Sequence, residues 1–214
     1  MWNKIKKIIF IILVLNVLFI VWGRFFNPPI TITQIGGLLE YGRLQRDYVS
    51  YDEMGNNVKK AVIASEDQKF FNHDGFDYQA IEKAMKNNEK GKRMRGGSTI
   101  SQQTAKNIFL WQGRSWFRKG LEAMYTFIIE KVWTKDIILE RYLNSIEMGQ
   151  GVFGVEAASQ YYFGKSSKSL TVSEAAWIAA VLPNPKKYDP KNPSPYLRKK
   201  HSWIMRQMRN VGLK

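Results

Sequence analysis

Residues 116–146 read WFRKGLEAMYTFIIEKVWTKDIILERYLNSI, and their pattern sets the fold class. Trp116 to Trp133 has the rhythm of one long amphipathic helix, and Thr134 stands where a cap opens a second, from Lys135 to about Ile146. The helical pattern continues in both directions. Upstream, Val58, Ala61 and Val62 mark a short helix, and Asp77 reads as the N-cap of a helix through Asn87 with Ile81, Ala84 and Met85 on one face. Ser98 is expected to cap a further helix reaching about Phe109. Downstream, Gly149, Gly151 and Gly154 form a turn-rich break before a helix through Tyr162. Thr171-Val172-Ser173-Glu174 is a capping-box pattern opening Ala175 to Leu182. Five prolines from Pro183 to Pro195 stiffen a loop, and Ser194-Pro195 fits N-cap and N1 of a last, basic helix. There is no internal repeat and no strand run strong enough to build a sheet around. The expected fold is mainly α, with one globular domain at 51–214.

The amino terminus is different in kind. Ile8 to Trp22 carries no charge, is interrupted only by Asn16, and follows Lys4, Lys6 and Lys7. The run is short for a hydrocarbon core of about 30 Å, but Ile5, snorkelling lysines, Phe25 and Phe26 extend it. A cleaved signal peptide would need a small-x-small site, whereas the chain continues Val21-Trp22-Gly23-Arg24-Phe25-Phe26. An uncleaved anchor over 1–26 is therefore expected, followed by a linker over 27–50 that Asn27-Pro28-Pro29 begins. The lysines before the span place the amino terminus in the cytoplasm and the remainder outside.

The formal charge of +15, from 33 Lys and Arg against 18 Asp and Glu, calls for a polyanionic partner: nucleic acid, an anionic membrane surface or a phosphate-bearing substrate. Cysteine is absent, which removes disulfides and thiolate metal sites alike.

Three clusters carry the chemistry. Glu66 follows the apolar run Ala61-Val62-Ile63-Ala64, so a carboxylate emerges from the end of a buried helix, a setting that suits proton transfer. A lone glutamate there is ordinarily a surface group. Here Asp67 stands beside it, Phe70 and Phe71 exclude water, and His73 lies seven residues on. With His201 the only other histidine, a multi-histidine metal site is unavailable, and His73 is expected to hold its loop.

The second cluster is Arg95-Gly96-Gly97-Ser98-Thr99-Ile100-Ser101-Gln102-Gln103-Thr104-Ala105-Lys106-Asn107, preceded by a basic loop with Lys90, Lys92 and Arg93. Two glycines let backbone approach a ligand, and the helix start favours anions. The polar face is either solvated or a phosphate or sugar site; the P-loop spacing is absent. In the third cluster, Arg114 to Glu122, Arg118 and Glu122 are four apart, and taken alone they are an intrahelical ion pair.

In order, these clusters resemble the family 51 glycosyltransferases, the peptidoglycan polymerases found alone or as the first domain of class A penicillin-binding proteins. The resemblance covers roughly Tyr51 to Leu182. It comprises E-D-x-x-F-x-x-H at Glu66 to His73, G-G-S-T-x-x-Q-Q-x-x-K-N at Gly96 to Asn107 and R-K-x-x-E at Arg118 to Glu122. I-L-E-x-Y-L-N at Ile138 to Asn144 and G-x-G-x-x-G-V-x-x-A at Gly149 to Ala158 complete it.

The resemblance implies a lysozyme-like helical domain that joins disaccharide-peptide units of lipid II into β-1,4 glycan strands, with inversion and release of undecaprenyl pyrophosphate. It makes Glu66 the general base and Glu122 a second catalytic glutamate. It assigns substrate and pyrophosphate binding to Asp67, Ser98, Thr99, Gln102, Gln103, Lys106, Asn107, Arg114, Arg118 and Lys119, with Phe70 and His73 as support. No cofactor is required and no dedicated metal cage is visible; Mg or Mn is expected only as a phosphate counter-ion. Expected partners are lipid II, the growing glycan strand, the bilayer and cell-wall synthesis proteins, at the bacterial cytoplasmic membrane. Phe109, Leu110, Trp111, Trp116 and Phe117 would form an interfacial patch or pack in the core.

The transpeptidase motifs S-x-x-K and K-T-G do not occur, so a monofunctional polymerase is expected. The alternative is a lytic peptidoglycan hydrolase with Glu66 as general acid, which would have no use for the cations Lys106, Arg114 and Arg118. A tethered binding protein for nucleic acid or anionic polymer would leave the carboxylate unexplained, and nucleic acid is not an expected partner of an exported domain.

Overall fold

The computed structural model describes residues 2–89, 97–113 and 115–213. The mainly α expectation holds. α1 (Trp2–Gly23) is a 22-residue apolar helix whose most apolar 18 residues have a mean hydropathy of 2.5, long enough at about 1.5 Å per residue to cross a membrane. Its first half projects free, while Ile20 and Gly23 are buried against the globular part.

The stretch expected as a linker contains α2 (Ile32–Tyr41) and β1 (Gln45–Arg46). Thr31 and Gln34 form a reciprocal capping box on α2, and Gly42 ends it in the left-handed conformation. The glycine-rich break expected after Ile146 holds β2 (Glu147–Gly149) and β3 (Val152–Phe153). β3 is central, parallel to β1 and antiparallel to β2. Strands this short leave no alternation to read. Gly154 must be glycine: its φ is +85°, and a Cβ would stand 2.8 Å from the Asn144 carbonyl oxygen.

The core is built from helices. α3 (Asn56–Glu66) buries Val58, Ala61, Val62, Ile63 and Ala64 against α9 (Val172–Val181), whose small residues Ala175, Ala176, Ala179 and Ala180 permit close approach. α10 (Pro195–Gln207) covers that pair, capped by Ser194 with Pro195 in the first turn as expected. α4 (Tyr78–Glu89) follows Asp77, whose carboxylate accepts from Ala80 N at 2.9 Å. α5 (Ile100–Phe109) packs on both α6 (Trp116–Val132) and α7 (Lys135–Ser145), and α8 (Val155–Phe163) closes the far side.

Two local expectations change. Thr99, not Ser98, caps α5: its hydroxyl accepts from Gln102 N at 3.2 Å and the Gln102 side chain returns to Thr99 N at 3.0 Å. The aromatic patch divides. Trp111, Trp116 and Phe117 are exposed, Trp116 at 92%, whereas Leu110 is buried and Phe109 stacks on Tyr125 at 4.7 Å.

Candidate active site

Glu66 is the last residue of α3, half-buried, and its two carboxylate oxygens are separately held. Oε1 accepts from Ser65 Oγ at 2.9 Å and Oε2 from Gln103 Nε2 at 3.1 Å. Gln103 is oriented in turn by Tyr142, whose hydroxyl donates to the amide oxygen at 3.2 Å. Tyr142 is fully buried, and burial, reinforced by the negative charges of Glu66 and Asp67, pushes its phenol well above the ordinary value. A phenol that stays protonated fixes the amide with its nitrogen toward Glu66. Sequence reasoning assigned Tyr142 no role of its own.

Asp67 points the other way. Its side chain is 3% exposed, lies 3.0 Å from His73 Nε2 through both oxygens, and accepts from Ile100 N at 3.0 Å. The carboxylate thus satisfies an otherwise free amide in the first turn of α5 and ties the loop after α3 to it. His73 holds this loop, its Nδ1 buried with no partner among the described residues, and its ring meets Phe70 edge-on. Phe70 is completely buried, with the Lys135 ammonium 4.7 Å from its ring centre.

Several residues expected to touch substrate make hydrogen bonds within the fold. Thr99 also donates to Gly75 O at 2.6 Å, and it and Gln102 are buried in their mutual cap. Asn107 is buried, its side-chain oxygen accepting from Gln112 Nε2 at 3.3 Å. Asp67, Thr99, Gln102 and Asn107 are thus bonded within the protein, whereas Gln103 reaches Glu66.

The cations converge from α5 and α6. Arg118 Nη1 donates to Glu122 Oε2 at 2.8 Å and its Nε to Gly113 O at 3.0 Å; Lys119 pairs with Glu122 Oε1 and donates to Ser98 Oγ at 3.3 Å. Glu122 is 3% exposed, so both its oxygens are taken up by cations. Lys106 feels both carboxylates. Burial lowers its ammonium pKa below the ordinary lysine value, Glu122 and Glu66 raise it, and Arg118 and Lys119 add to the lowering. Arg114 and the basic loop with Lys90, Lys92, Arg93, Arg95 and Gly96 lie outside the described residues.

Lys200 of α10 is a further cation that sequence reasoning passed over. Burial depresses its ammonium and the charge of Glu66 opposes this. Its signal was present: Leu197, Lys200, His201 and Ile204 form one helical stripe, and the other three are buried. Among the described residues no group of three or more His, Asp or Glu is arranged to hold a metal.

The arrangement suits one chemistry. It combines a carboxylate held by two hydrogen bonds with a cluster of ammonium and guanidinium groups gathered around Glu122, groups of the kind that exchange protons and neutralise anions. The family model described as Transglycosylase matches residues 33–209. The chain is 57% identical over 171 residues to the biosynthetic peptidoglycan transglycosylase of Mannheimia succiniciproducens, covering 80% of this chain and 70% of that protein. It is 45% identical over 215 residues to the like-named protein of Stutzerimonas stutzeri, covering 98% and 89%. With that of Pseudomonas aeruginosa it shares 53% identity over 169 residues, 79% and 73% of the two chains. A match spanning α2 to the end of α10, with close relatives over most of their length, establishes that the chain belongs to the transglycosylase family.

Proposed function

We propose that this peptidoglycan glycosyltransferase polymerises glycan strands from lipid II, with Glu66 as base and the Lys106, Arg118 and Lys119 cluster as pyrophosphate site. The acceptor's sugar hydroxyl gives its proton to Glu66, and its oxygen attacks the donor's anomeric carbon from the face opposite the pyrophosphate. The anomeric C–O bond breaks, the electron pair leaves with undecaprenyl pyrophosphate, and the new β-1,4 bond has inverted configuration. A pyrophosphate leaves readily, so fixed positive charge at its oxygens matters more than a strong acid.

The observation that carries the reading is Lys106, half-buried one turn beyond the Gln103 that bonds Glu66, with the charges of both Glu66 and Glu122 acting on it. It links the proton-accepting side of the cleft to the anion-binding side. Glu122 keeps Arg118 and Lys119 in place. Because Arg118 and Lys119 already occupy its oxygens, Mg or Mn enters this scheme only as a counter-ion carried by the phosphates.

The apolar α1 anchors the enzyme in the cytoplasmic membrane with its lysines inside and the cleft outside. Exposed Trp111, Trp116 and Phe117 suit an interface with lipid headgroups, where the tail of lipid II holds its pyrophosphate. The growing strand and the bilayer are then the standing partners, alongside other cell-wall synthesis proteins.

Polymerisation of labelled lipid II by the purified full-length chain tests the reading. Glu66→Gln keeps the shape and the Ser65 bond but accepts no proton, so product formation is expected to vanish while the unfolding transition stays put. Near wild-type polymer yield from this variant would remove Glu66 as the base.

A further inference from the structure

Asn16 is the one polar residue within the apolar run Ile8–Trp22, and its amide donates to the Tyr125 hydroxyl of α6 at 2.8 Å. The next two turns are fastened as well. Trp133 Nε1 donates to Ile20 O at 2.9 Å, Arg141 Nε to Gly23 O at 2.8 Å, and Arg24 Nη1 to Val132 O at 2.9 Å. Phe19 meets Phe109 edge-on, and Phe109 lies flat on Tyr125. A flexible tether would need none of these contacts.

The contacts also fix α6 against the span. Asn16 and Ile20 meet Tyr125 and Trp133 in the same order along the two segments, so α6 is pinned beside the outer part of α1. Exposed Met124 and Phe127 flank Tyr125 and are apolar enough to meet lipid. Glu122 stands three residues before Tyr125 on the same helix, so the docking of Tyr125 fixes where the cationic cluster sits relative to the span.

We infer that Asn16 and Tyr125 are positioning residues: they dock the anchor on α6 and hold the cation site at the level of a membrane-borne pyrophosphate. For its activity arm this rests on lipid II being the substrate. The full-length protein in phosphatidylglycerol-containing vesicles is compared with Asn16→Leu and Tyr125→Phe, which keep the apolar span and the aromatic stack. Turnover of bilayer-embedded lipid II is expected to fall about three- to fifteenfold, the span of a single interhelical hydrogen bond. Turnover of a short-chain, water-soluble analogue is expected to be unchanged, a split that a merely structural contact would not produce.

A second readout needs no turnover. The chain has no cysteine, and Gly120 faces open space on α6, so Gly120→Cys carries a single fluorophore whose depth is read by brominated lipids. Asn16→Leu is expected to shift or broaden that depth. Equal losses on both substrates, or an unchanged depth, would overturn the inference. A wild-type protein inactive on both substrates would refute the lipid II reading alone, and the depth measurement would then decide the positioning role.

Discussion

Asp67→Ala separates two accounts of a residue that stands next to the proposed base. In the structure its carboxylate is 3% exposed and makes two bonds, to Ile100 N and to His73 Nε2, both at 3.0 Å. Hydrogen bonds to a charged group contribute about 1.5–3 kcal/mol each, and these two share an acceptor, so they do not simply add. Removing the carboxylate also strands the Ile100 amide and leaves His73 with no partner among the described residues at either nitrogen. A loss of about 3–4 kcal/mol follows, within the range for breaking a buried pair. For a domain of this size that lowers Tm by roughly 6–16 °C. Circular dichroism of the detergent-solubilised full chain measures it, with Asp67→Asn, which keeps an acceptor for Ile100, expected to fall between. A variant that melts with the wild type yet polymerises nothing would refute the reasoning and return Asp67 to the substrate.

Tyr142→Phe removes the bond to the amide oxygen of Gln103; about 1 kcal/mol of stability and about a fivefold drop in kcat are expected, with KM little changed, from steady-state polymerisation. Lys106→Met is expected to abolish polymerisation yet raise the unfolding midpoint at neutral pH, because burial makes the wild-type ammonium costly. The sign follows from a folded pKa below the unfolded value of 10.5: the cost is fully present at neutral pH and disappears as pH rises through the folded pKa toward 10.5. Denaturant midpoints of both proteins taken from pH 7 to 10.5 should therefore converge.

Local chemistry was legible without coordinates. Helical periodicity in α6 and α7, the Thr171–Glu174 capping box and the Ser194-Pro195 start depend on residues within a turn of one another, and the structure keeps them. Glu66 was legible too, as a carboxylate at the end of an apolar run and the head of a recognisable motif. The α5 start was not. Ser98 and Thr99 are adjacent hydroxyls, and what favours Thr99 is a carbonyl 24 residues away, that of Gly75. The same holds for α2, whose Thr31–Gln34 box stood unremarked in a segment expected as a linker, and whose Gly37 backbone lies against the Phe153 ring.

By itself the sequence determined an apolar amino-terminal helix, a mainly helical domain and a set of polar residues suited to glycosyl transfer to or from an anion. Only the tertiary structure decided which of those polar groups bond to one another and which to the rest of the protein. Asp67, Thr99 and Gln102 turn into the protein to close a helix end and a loop, because buried backbone amides there require acceptors. Tyr142 from α7 and Lys200 from α10 reach the surroundings of Glu66 only because packing on α5, α9 and α3 brings distant helices together. Spacing along a chain sets a side chain's face on its own helix, but not what that face meets.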